Sequence, residues 1–182
     1  ASPFGHPLEF PDRHYQKTSS SHDSDKYRII ILGLIFLLGV SLRILHLDFQ
    51  SLWLDEALTA RHVQLSTTSE LLHHLIYENN HPPLYYLLLR AWTSVFGVSE
   101  FSLRGLSCLF SCLSIPVLYF AAKRISGSKA ALIATAIFST SLYQIWFAQE
   151  AKGYSLSILL TCGLLWLISC NTSEPSIRKN TL

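Results

Sequence analysis

Trp53-Leu54-Asp55-Glu56-Ala57 sets two adjacent carboxylates beside a tryptophan, a few residues after an apolar run over 29–47. At a membrane surface, partial desolvation raises a carboxylate's pKa and prepares it as a general base. The same pair also suits a plain helix start, because acids in a first turn complement the helix dipole. A second polar cluster, Gln149-Glu150-Ala151-Lys152-Gly153-Tyr154-Ser155, lies between two charge-free apolar runs. Ionisable groups at membrane depth are costly and tend to be functional, although a solvated turn has the same composition. Arg43 lies inside the first apolar run and Arg104 opens the second. A guanidinium fork suits phosphate or carboxylate, whereas a snorkelling arginine only reaches interfacial water. His81-Pro82-Pro83 holds a histidine against a rigid diproline, so the imidazole is open to a hydroxyl or a metal. His73 and His74 are adjacent, point apart on a helix and make a poor metal pair.

The elements that must position these groups are apolar. Runs over 29–47, 105–122, 130–149 and 153–170 are each long enough to span a bilayer, so four transmembrane helices are expected. The stretch 84–97 is apolar but short and carries Arg90, which fits a helix lying in the interface. On that reading segments 1–28, 123–129 and 171–182 hold nine of the Lys and Arg residues, and segments 48–104 and 150–152 hold four. The positive-inside rule then puts the first set in the cytoplasm and the loop 48–104 outside. Seven of the 12 acids, among them Asp55, Glu56 and Glu150, fall on the outer side. Within the loop, Thr67-x-x-Glu70 reads as a capping box, and Asn79-Asn80 before His81-Pro82-Pro83 as a stop. Two interfacial helices are expected, over 70–78 and 84–96.

Composition agrees. The 182 residues are 49% hydrophobic and 14% charged, well below the roughly 25% charge of soluble domains. So apolar a chain is not disordered either. A net charge of +2 with no basic run argues against nucleic acid. Cys108, Cys112, Cys162 and Cys170 lie in or beside apolar runs with no C-x-x-C pair, and they carry no redox information. The first 28 residues lack the apolar core of a signal peptide and read as a polar tail. With no methionine present, the chain reads as processed or excised.

The order of motifs is more specific than any one of them. Arg43, Ser51-Leu52-Trp53-Leu54-Asp55-Glu56-Ala57, His81-Pro82-Pro83-Leu84-Tyr85-Tyr86, Arg104, Ala122-Lys123-Arg124 and Gln149 to Ser155 follow one another across 28–170. This order resembles the N-terminal part of GT-C glycosyltransferases of the family 39 kind. Relatives there are the dolichyl-phosphate-mannose–protein mannosyltransferases and the lipid A aminoarabinose transferase. The resemblance implies an all-α membrane enzyme that moves a sugar, with inversion, from a polyprenyl-phosphate donor to an acceptor protein, lipid or glycan. The reaction is expected on the outer face of the plasma (inner) membrane. It implies Asp55 as base, with Glu56 orienting the acceptor or Asp55. Arg104, Lys152 and Arg43 would face the lipid phosphate, Glu150 and Tyr154 the donor pocket, and His81 the sugar, the phosphate or a divalent metal. Lys152 departs from the arginine frequent in the family, which gives up bidentate phosphate recognition there. Members have about a dozen spans, so these four read as an N-terminal fragment, expected to be inactive alone. The competing class is a non-catalytic four-helix scaffold or lipid-phosphate-binding module. A pump or ion pathway is disfavoured, because the last three runs contain no ionisable residue near their midpoints.

Overall fold

A computed structural model describes residues 13–45, 47–78 and 82–171, with side chains from Lys26 onward. Among the described residues all regular structure is helical. The order is α1 (Arg13–Ile44), α2 (Leu54–Val63), α3 (Thr68–His73) running into a π-helical turn (His74–Glu78), α4 (Pro83–Phe96), α5 (Glu100–Thr140), α6 (Leu142–Ala148) and α7 (Tyr154–Asn171). Three helices are long and apolar enough to cross a membrane: Lys26–Ile44 within α1, α5 and α7.

The 41-residue α5 is two rods joined by a reversal. Gly127 has φ 81° and ψ 170°, a backbone region essentially reserved for glycine. Arg43 bonds both the Ser111 hydroxyl and the Ser139 carbonyl. In one straight helix those two residues would stand about 42 Å apart, so the arms 100–126 and 128–140 run antiparallel. The expected loop 123–129 therefore contracts to a single non-helical residue, and the first arm begins at Glu100 rather than at 105. Ser141, with ψ 125°, breaks the second arm before α6 continues it. The four apolar runs of the sequence thus become α1, the two arms of α5, and α7, the architecture of an all-α membrane protein.

Small hydroxyl side chains line the helix seams. Ser107, Ser111, Ser114, Thr135, Ser139 and Ser155 are all buried, and residues of this size let apolar helices approach closely. Several satisfy their own hydroxyl on the preceding turn, as Thr135 does on the Ala131 carbonyl at 2.7 Å. Leu34, Leu37, Ile133, Ile137, Leu164 and Leu167 point outward instead, the distribution expected where the surroundings are acyl chains.

The connection 48–104 is a packed cap. Ala60 and Val63 of α2, Leu71 of α3, Leu75 of the π-turn and Tyr85, Tyr86 and Leu89 of α4 close over Leu103 and Leu106 of α5 and Leu156 of α7. The two helices expected over 70–78 and 84–96 are present as α3 with its π-turn and as α4. Thr67 accepts from the Glu70 amide at 3.1 Å, half of the expected capping box. The expectation of two helices is one short, because α2 also forms. Its signal was the acidic pair itself: Glu56 at the third helical position accepts from the Trp53 amide at 3.2 Å, the reach-back bond of an N-terminal cap. At 14 residues α4 is about 21 Å long, too short to span.

Candidate functional site

The site begins where α1 ends. A helix C-terminus leaves carbonyls without partners, and the Gln149 amide meets them here. Its Nε2 donates to the carbonyl of Leu45 at 2.8 Å and, at 3.3–3.4 Å, to those of Arg43 and Leu42. The chain then wraps Arg104, one turn into α5. Arg104 Nη1 donates to the carbonyls of Leu47 (2.9 Å) and Gln50 (2.8 Å), and Nη2 to that of Ser51 (3.3 Å).

The rest of the guanidinium goes to Glu56. Nε reaches Oε1 at 3.0 Å and Nη2 reaches Oε2 at 2.6 Å, a bidentate pair with both side chains buried. These bonds use all five Arg104 N–H donors and leave none for a phosphate. Glu56 Oε1 also accepts from the Ala151 amide at 2.9 Å. One buried carboxylate thus ties together α2, α5 and the turn before α7. Burial pushes the Glu56 carboxyl upward, but the Arg104 guanidinium and the Ala151 and Trp53 amides outweigh it and hold it below the usual carboxylate range.

Asp55, one residue earlier on α2, points the other way and is exposed. It borders a cavity of about 350 Å³ shared with Trp53, Leu54, Glu56, Glu150, Lys152 and Tyr154. Five of the eight residues singled out in the sequence therefore meet at one cavity, although two come from α2 and three from the turn 150–154. That volume lies within the ~300–1,000 Å³ of small-molecule sites. Among the described residues nothing bonds the Asp55 carboxylate or pairs the Lys152 ammonium. Glu150 Oε1 accepts from the Trp146 indole. A second cavity, about 440 Å³, adjoins the first through Trp53 and Glu150, and its walls include Leu47, Phe49, Leu142, Ile145 and Trp146. It is an apolar groove between the end of α1 and α6.

The turn that carries Lys152 is supported from below by residues to which the sequence assigned no role. The Tyr85 hydroxyl lies 2.8 Å from Ser107 Oγ, and Ser107 donates to the Lys152 carbonyl at 3.1 Å. Gly153 sits against the Tyr85 ring so closely that an added Cβ would lie 3.3 Å from Tyr85 Cβ. Tyr86 packs beside it, and burial followed by the charge of Asp55 raises its phenol pKa. The diproline signal pointed to this corner, since Pro82-Pro83 starts α4 and fixes where both tyrosines emerge.

Arg43 is elsewhere. It is fully buried between α1 and both arms of α5, with Nε on Ser111 Oγ at 2.8 Å and Nη1 on the carbonyls of Gly39 and Ser139, both 2.9 Å. It lines neither cavity. His81 lies outside the described residues. Among the described residues no group of three His, Cys, Asp or Glu side chains is placed to hold a metal ion.

The sequence model of the dolichyl-phosphate-mannose-protein mannosyltransferases matches residues 80–179, more than half of the chain. No curated protein and no solved structure matches. The family match covers α5 with Arg104, the turn of Lys152 and α7 with Tyr154, and with the apolar bundle beneath them the chain belongs to the dolichyl-phosphate-mannose-protein mannosyltransferase family of membrane glycosyltransferases.

Proposed function

We propose that the protein transfers a hexosyl group, mannosyl in type, from a polyprenyl-phosphate donor to an acceptor hydroxyl on the outer membrane face, with inversion. The observation that carries this reading is the pairing of an unspent carboxylate with an unspent ammonium at one cavity that opens beside an apolar groove. In this reading Asp55 takes the acceptor's proton as the acceptor oxygen attacks the anomeric carbon. The bond from that carbon to the phosphate oxygen breaks, and the electron pair leaves with the lipid phosphate. Phosphate is a good leaving group, so one base suffices. Lys152 offsets the charge that grows on the departing phosphate. The prenyl chain lies along Leu47, Phe49, Leu142 and Ile145, which explains a sugar-transfer site at membrane level.

In this reading two arginines take roles other than phosphate binding. Arg104 braces Glu56, and through it the turn of Lys152, in keeping with its five spent donors, while Arg43 ties the spans together. Glu56 acts through Arg104 and Ala151 as a positioning residue.

The test is transfer from labelled polyprenyl-phosphate mannose, measured in membranes that express the gene. Asp55→Asn should lower turnover by ~100-fold or more while retention of the labelled donor stays near wild type. Near-normal turnover would remove Asp55 as the base. Donor retention without turnover in the wild type would favour the lipid-phosphate-binding module instead.

A further inference from the structure

The end of the bundle opposite the carboxylate site carries a third cavity, of mixed character. Phe120, Lys123 and Arg124 of the first α5 arm and Trp166 of α7 line about 520 Å³. Phe120 lies 16 residues beyond Arg104 on α5 and Trp166 lies 12 beyond Tyr154, where α7 begins, about 24 and 18 Å along their helices. The cavity they share therefore lies more than half of a ~30 Å hydrocarbon core away from the Glu56 site. The depth, the aromatic walls and the cations together describe the level where acyl chains meet headgroups.

The charge at this cavity is one-sided. No Asp or Glu occurs over 101–149 or 151–173, and among the described residues neither Lys123 nor Arg124 has a carboxylate partner. Lys123 stands over the Tyr119 ring, 5.9 Å from its centroid, which orders the ammonium without neutralising it. Arg124 is exposed and its planar fork is unspent. The outward face of α7 at this level is apolar, with Leu164 and Leu167 58% and 57% exposed, and gives acyl chains a surface directly beside the cations.

We propose that the Lys123–Arg124–Trp166 cavity is a binding site for the phosphate headgroup of an anionic phospholipid, separate from the transfer site and on the other membrane face. Arg124 takes the phosphodiester with its fork and Lys123 supplies the second charge. Trp166 and Phe120 hold the glycerol and upper acyl region, and the tails run along Leu164 and Leu167. Basic pockets between spans are a recurrent way to hold acidic headgroups.

The test uses the purified chain in phosphatidylcholine bilayers that carry spin-labelled phosphatidylglycerol or spin-labelled phosphatidylcholine. The motionally restricted fraction of each label gives their relative affinity. Phosphatidylglycerol should be preferred by about fivefold or more, roughly what one well-placed cation contributes, and Lys123→Gln/Arg124→Gln should bring the ratio close to one. Lys26→Gln/Arg28→Gln removes the same charge near the same end and should keep most of the preference. Circular dichroism checks that both variants retain their helix content. Three results would overturn the proposal. One is a ratio near one in the wild type. Another is equal loss in the two double variants, the mark of diffuse surface charge. The third is loss of preference in millimolar inorganic phosphate but not in chloride of matched ionic strength, which would assign the cavity to a free anion.

Discussion

Replacing Glu56 with glutamine keeps the size of the side chain and removes its charge, which leaves the Arg104 guanidinium buried without a counterion. Breaking one partner of a buried ion pair costs about 3–5 kcal/mol, and this carboxylate also accepts from Ala151 and Trp53. Glu56→Gln should therefore lower unfolding stability in detergent by about that much, whereas Asp55→Asn on the exposed face of the same turn should leave it nearly unchanged. Equal effects at the two positions would refute the division between them. The acid limb of stability belongs to the same residue. Because the folded state holds the Glu56 carboxyl below its ordinary value, its contribution is complete above the unfolded value, ~4.3. It fades as the pH falls from there through the lower folded value. Melting temperature followed from neutral pH downward should drop in that window for wild type and less steeply for Glu56→Gln. The sequence did single out Asp55 and Glu56, but not their divergence. Neighbouring helical residues point about 100° apart, and which one turned inward depended on Arg104, 48 residues away.

At the scale of elements, the turn 150–153 is held more firmly than a surface turn needs to be, and its support comes from α4 and α5. Gly153→Ala would push against the Tyr85 ring, with a Cβ at 3.3 Å from Tyr85 Cβ and 3.5 Å from Cγ, so the turn must shift by a few tenths of an ångström. Ångström-scale misplacement of a positioning group costs on the order of 100-fold, and a displacement of this size should raise the donor KM by about tenfold with kcat less affected. Tyr85→Phe keeps the ring and removes only its bond to Ser107, which still donates to the Lys152 carbonyl; its effect should be the smaller, about 1 kcal/mol. Unchanged donor kinetics in Gly153→Ala would show that Tyr85 does not set the turn. The capping pattern at Thr67 and the diproline before α4 were legible because they act within one turn of chain. Ser107 was not legible, since a serine in an apolar run looks like any other small seam residue until its partner across the bundle is known. The cluster at 149–155 was legible as chemistry, but Gln149 serves largely as a cap for α1, a role set by a helix more than 100 residues earlier in the chain.

At the scale of the molecule, the four apolar runs were legible from length and hydropathy, and the reversal between the second and third was legible as a place. Its sharpness was not, because Ser126-Gly127-Ser128 reads as a short loop, whereas only Gly127 leaves the helix. A side chain at that φ and ψ costs roughly 1–3 kcal/mol, so Gly127→Ala should destabilise the hairpin by that amount while the site at the far end keeps its residues. The reversal also carries a prediction about sidedness. The first α5 arm starts beside Glu56 under the packed cap and ends at Lys123 and Arg124, so one crossing separates the carboxylate cavity from the basic cavity. Nine Lys and Arg residues fall in the segments grouped with the basic end, against four in those grouped with the cap, and cationic segments are retained in the cytoplasm. Single cysteines placed at exposed Ser66 and Ser126, with the four native cysteines replaced by serine, should react with an impermeant maleimide from opposite sides of sealed vesicles. Ser66→Cys should label from outside intact cells, and Ser126→Cys only after the membrane is opened. Labelling of both from one side would mean that the first α5 arm does not cross, and the two cavities would then share a face. Opposite labelling with Ser126→Cys outside would keep the fold and place the Asp55 cavity on the cytoplasmic face, where it would meet a different pool of acceptors.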